Sequence, residues 1–142
     1  MSMRACLAWM ALPVALLAAG CGQDAPAPAA VRGRVFYKGA PLTRGSIVFA
    51  PDADKGGTGP LARGDIRADG TYTLAADGRP GAVPGWHRVT IVSVEAPAAK
   101  PLGTEFADVH SLLPRKYAAP DLSGLEALVK PGEDNVIDFH LE

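Results

Sequence analysis

Cysteine is almost absent from this chain, which holds only Cys6 and Cys21 in 142 residues. Both lie near the start, so no disulfide can staple the remaining sequence, which must be held by packing. Histidine is nearly as scarce. His87, His110 and His140 are far apart, with no second ligand at the H-x-x-x-H or H-E-x-x-H spacing that a zinc site needs. Asparagine occurs once, as Asn135 at a turn, which argues against the Lys–Asn isopeptide bond that some sandwich domains carry. Ser46, Ser93, Ser111 and Ser123 lack the strained G-x-S-x-G setting of a reactive serine. Asp52, Asp54 and Asp65 do not follow the glycine-and-acid pattern of a calcium loop, whose ion takes six to eight oxygens. No basic run or basic–aromatic patch offers a footing for nucleic acid. The expectation is a protein with no catalytic residues, no cofactor, no metal and no nucleic-acid partner.

Glycine and proline are plentiful, at 16 and 13 residues. That composition favours short strands separated by turns over long helices. The length suits one domain.

The N-terminal segment has its own pattern. Arg4 precedes an uncharged apolar run from Ala5 to Ala19, followed by Gly20 and Cys21. A basic residue, an apolar stretch too short to span a bilayer and a small-residue end make up a secretory signal. Leu17-Ala18-Ala19-Gly20-Cys21 resembles the bacterial lipobox, although Leu sits one step further out than usual. The resemblance implies cleavage before Cys21, a diacylglycerol on its thiol, and a chain held to a membrane at the cell envelope. Losing Arg4 leaves 13 of the 14 bases against 15 acids, a net charge of −2. The next segment, Gln23 to Ala30, is rich in Pro and Ala and reads as an extended spacer. The expected organisation is a signal peptide at 1–20, a lipidated Cys21 and flexible linker at 21–30, and one domain at 31–142.

Within the domain the apolar period is two. Val31, Gly33, Val35 and Tyr37 share one strand face opposite Arg32, Arg34 and Lys38, with Phe36 the exception. Ser46 to Ala50 reads as a second strand, paired to the first in a hairpin. Asp52 to Pro60 reads as a mobile loop. Asp69-Gly70 predicts a type I′ hairpin turn between Leu61–Ala68 and Thr71–Ala75. Trp86 to Val94 predicts a long central strand. Leu125–Lys130 and Val136–Leu141 read as a closing hairpin, with Ile137, Phe139 and Leu141 on one face. The whole is an all-β chain of about seven strands, the pattern of a β-sandwich.

Val31-x-Gly33-x-Val35, Gly39-x-Pro41-Leu42, Gly45-x-Ile47, Asp69-Gly70-x-Tyr72-x-Leu74 and Pro84-Gly85-x-x-x-Val89 resemble the carboxypeptidase regulatory-like domain. With the lipobox and Leu113-Pro-Arg-Lys-Tyr117, the chain is similar to small lipoproteins of planctomycete-type bacteria. The resemblance implies a seven-stranded transthyretin-like, Ig-like sandwich that is not itself catalytic. Transthyretin-like hydrolases share that architecture, but their Tyr-Arg-Gly-Ser hallmark does not occur here.

Glu95 to Leu112 is a long, aperiodic connection containing Phe106 and His110, of the kind that often carries binding residues. Trp86 and Tyr117 could give a flat stacking surface, although Tyr117 also suits a core position with its hydroxyl fixing a corner. Trp86, Phe106, His110 and Tyr117 are therefore the candidate partner-binding residues. They suit a lipid-anchored interaction or structural module that meets an envelope protein through loops or an exposed sheet edge. The alternative is a ligand binder for glycan or metal.

Overall fold

The structure, a computed structural model, describes residues 26–95 and 110–142. The signal segment, Cys21 and Phe106 lie outside the described residues. Eleven strand segments occur among the described residues, seven of them three residues or longer. They are β1 (Val31–Tyr37), β2 (Ala40–Pro41), β3 (Gly45–Pro51), β4 (Ala62–Ile66), β5 (Thr71–Thr73), β6 (Ala75–Ala76), β7 (Arg79–Pro80), β8 (Gly85–Val92), β9 (Leu125–Val129), β10 (Asn135–Val136) and β11 (Phe139–Leu141). Two sheets form an all-β sandwich. One runs β7-β6-β4-β3-β8-β9, and the other is gathered around β1.

The alternation in β1 shows why it is the hub. Val31, Gly33 and Val35 are buried while Arg32 and Arg34 are exposed. One edge of β1 pairs antiparallel with β5 and β2, and the other pairs parallel with β10 and β11. Phe36, the apolar residue on the outward face, stacks on His140 with ring centroids 4.8 Å apart. Between the sheets, Phe49, Tyr72 and Phe139 form the aromatic centre of a core that includes Ile47, Val89 and Ile91.

The strands lie where the alternation places them, but both expected end-to-end hairpins are absent. β1 and β3 belong to different sheets, because the chain doubles back only through the two-residue β2 before crossing over. β9 and β11 are likewise separated: β9 pairs with β8, while β10 and β11 complete the β1 sheet. A period of two specifies the buried face of a strand but not its neighbour.

The turn at Asp69-Gly70 also differs. Gly70 alone has positive φ (82°), Gly70 N–H donates to Arg67 O, and Arg67 N–H donates to Thr71 O. This is a three-residue loop closed by a glycine bulge, and the strands it joins diverge into opposite sheets. The two-residue loops with both residues at positive φ are Lys38-Gly39 and Asp77-Gly78.

Asp52 to Pro60 is more ordered than its glycines suggest. Asp52 is buried and caps a short 3-10 turn, Ala53–Lys55, by accepting the Asp54 N–H at 3.1 Å. Ala29, within the segment expected to be linker, packs against the sandwich. It is buried and exchanges both backbone hydrogen bonds with Ala82, at 2.8 and 2.9 Å.

Candidate functional site

β8 projects Trp86, Arg88 and Thr90 outward and buries His87, Val89 and Ile91. Trp86 lies opposite Leu128 of β9, and both side chains remain about two-fifths exposed. Lys55 stands over the indole with its Nζ 4.2 Å from the ring centroid, and the same ammonium pairs with Glu126 at 2.6 Å. This cation–π contact orients the indole and leaves an apolar pair at the side of the sheet.

β9 is the terminal strand of its sheet. Antiparallel ladders alternate between bonding one neighbour and the other. Asp52 N–H donates to Trp86 O, so the even-numbered residues of β8 bond toward β3 and the odd-numbered ones toward β9. In the β9 register this turns Leu125, Ala127 and Val129 toward β8. The backbone groups of Glu126 and Leu128 therefore face away from the sheet. The opposite edge, β7, is two residues long and contains Pro80, which blunts it.

Beside this edge, Arg88 gathers three aspartates. Its Nε lies 3.3 Å from buried Asp52, its Nη1 2.7 Å from Asp121, and its Nη2 bonds Asp54. The nearby carboxylates, Asp52 foremost, raise the guanidinium pKa further. The arrangement ties the 3-10 turn and the turn before β9 to β8, with all three arginine nitrogens engaged. Asp52 and Asp54, considered as cation ligands from sequence, thus converge on a side chain, while Asp65 lies on β4 with Ser46 and Arg63. The D-x-D pattern after Pro51 marks this cluster in the sequence only weakly. Its partner Arg88 sits in a β-branched strand with no local cue.

The other candidates separate. Tyr117 is only 5% exposed, and its hydroxyl donates to Glu142 O and accepts Glu142 N–H, both at 3.0 Å. It fixes a corner and does not share a stacking surface with Trp86. His110 is exposed, and its carbonyl accepts Glu95 N–H at 2.9 Å. Ser93, Ser111 and Ser123 each donate to a backbone carbonyl. Among the described residues, no three His, Cys, Asp or Glu side chains are grouped to hold a metal.

His87 is a buried exception. It is 1% exposed and packs on Phe49. Its Nδ1–H donates to Gly85 O at 3.0 Å, leaving Nε2 without a partner. Burial lowers its pKa, with the Gly85 bond opposing the shift. The unfolded chain takes up a proton near pH 6.5, but the folded one resists it. Stability is therefore full above that pH and falls as pH drops through and below it, by at most about 1.4 kcal/mol per pH unit for one proton. Urea midpoints from pH 8 to 5 should show this decline, and His87→Leu should flatten it. An equally steep decline in the variant would assign the titration to another group.

No known family, curated protein or solved structure matches this chain.

Proposed function

We propose that the protein is a lipid-anchored, non-enzymatic β-sandwich that serves as an interaction module at the cell envelope, binding an extended segment of a partner protein along β9. The carrying observation is the open β9 edge, where the outward backbone groups of Glu126 and Leu128 lie beside the exposed Trp86–Leu128 pair. An added strand would satisfy those groups, and the apolar pair would select its side chains. The Leu17–Cys21 segment supports the anchor, and Ala29 is where the described chain first joins the domain.

The test is in-cell photo-crosslinking from a benzoyl-phenylalanine placed at Glu126 or Leu128. A discrete adduct is expected from the anchored chain, diminished in Cys21→Ser. Leu128→Pro should abolish strand addition while sparing the β8–β9 ladder, because the Leu128 N–H points outward. An adduct pattern unaffected by Leu128→Pro would remove the edge from the mechanism. Absence of any adduct from a chain shown by fractionation to be anchored would remove this surface altogether.

A further inference from the structure

The outward face of the β1 sheet, on the other side of the sandwich, carries a second arrangement of side chains. Arg32 and Arg34 follow each other along β1, about 7 Å apart at the two-residue strand repeat. Arg34 lies opposite Thr71, and Thr71 O accepts the Arg67 N–H, which puts Arg67 one strand further across. Two strand spacings separate the Arg34 and Arg67 backbones by roughly 10 Å. Arg32, Arg34 and Arg67 all line an open groove of about 590 Å³. Next along β1 is Phe36, stacked on exposed His140 with their rings within 5° of parallel.

The acids on this face are already committed. Asp69 accepts both the backbone N–H and the hydroxyl of Thr71, which lowers its pKa. Asp138 accepts the Arg34 N–H at 2.7 Å. Asp134 reaches Arg32 only at 3.9 Å, between two exposed side chains, a weak pair. Among the described residues, no carboxylate lies within ion-pair distance of the Arg34 or Arg67 guanidinium. Directed donors are left open in a field that the nearby aspartates keep small.

We propose that this groove binds an acidic oligosaccharide, a uronate-bearing glycan several sugars long. Guanidinium forks match carboxylates in a bidentate geometry. Phe36, held in place by its stack on His140, adds an aromatic ring to the groove lining against which a sugar can pack. A dense polyanion would call for an excess of positive charge, whereas here three arginines are interleaved with three aspartates. A hydroxyl-rich ligand with intermittent carboxylates fits that balance. The site is independent of the β9 edge and stands or falls separately from it.

The test uses the full chain carrying Cys21→Ser, titrated calorimetrically with an oligogalacturonide, its methyl ester and phosphatidylglycerol vesicles. Saturable binding of the oligogalacturonide is expected, at least tenfold tighter than that of the ester. Arg34→Gln with Arg67→Gln should weaken it tenfold or more, and His140→Ala several-fold, with unchanged unfolding midpoints. Lack of saturable binding overturns the proposal. So does equal binding of ester and acid, or vesicle binding in the absence of oligosaccharide binding.

Discussion

Gly33→Ala should lower the unfolding free energy by about 3 kcal/mol or more, and the melting temperature by roughly 15 °C. The reason is distance. A Cβ on Gly33 would lie 1.8 Å from Ile137 O, which is backbone and cannot rotate away. Gly33 is not required here for an unusual φ, since it is absent from the glycines with positive φ. It is required because Tyr72, its cross-strand partner, reaches over it to donate to Ile137 O at 2.6 Å. Strands on both edges of β1 are thereby joined across it. Burial, with the Asp138 charge adding to it, pushes the Tyr72 hydroxyl far above the usual phenol range, so it remains a donor. Tyr72→Phe should cost less, about 1–3 kcal/mol, by leaving the carbonyl unsatisfied. The double variant should fall short of the sum, because both changes act through one carbonyl. Additive losses, or a Gly33→Ala loss below about 1 kcal/mol, would show that β1 and the Ile137 backbone between β10 and β11 do not meet this closely.

Asn135→Ala should cost about 2–4 kcal/mol, a large loss for one polar side chain. Asn135 is buried, and its Oδ1 accepts Lys130 N–H at 2.8 Å. Its Nδ2 is within bonding distance of Ala30 O, Lys130 O and Glu133 O, at 3.2, 3.0 and 3.1 Å. One amide therefore folds the turn after β9 and ties it to the segment entering β1. Asn135→Asp is the sharper comparison. It keeps the acceptor but directs a carboxylate at three carbonyl oxygens, so at neutral pH it should not rescue the alanine loss. Urea midpoints of the two variants, with proteolysis of the 26–31 segment, would measure both effects. An aspartate variant as stable as the wild type would mean that the three carbonyls are served by other donors.

These two residues mark the limits of legibility. The alternation of Val31, Val35, Phe139 and Leu141 identifies strands and buried faces correctly, because burial on one side imposes a period of two. Gly33 fits that alternation as a mere gap, while its actual role depends on Ile137, more than a hundred residues away. Asn135 reads as a turn residue, but it opens β10 opposite Val31, and its reach to Ala30 leaves no local trace. The same holds for both missing hairpins: turn residues mark reversals but do not choose the sheet in which the next strand lies. Of the candidate binding residues, Trp86 is exposed on β8 as its strand register requires. Tyr117 lies in the core with its hydroxyl satisfied, a placement that its apolar neighbours Leu113 and Ala118 only hint at. Arg88 was missed because an arginine in a strand ordinarily faces solvent, and its three partners come from two separate turns.

The parallel pairing of β1 with β11 has a consequence in time. Val35 meets Phe139 and Tyr37 meets Leu141, so β1 leaves the ribosome roughly 5–20 s before its partner at ordinary elongation rates. For that interval the edge of β1 that β10 and β11 will fill stays open, even after β2 and β5 have emerged to pair with the other edge. Arg32 and Arg34, alternating with the valines, are placed to discourage premature association with other chains. Substituting them should reduce the yield of native protein during synthesis more than it changes the stability of protein already folded.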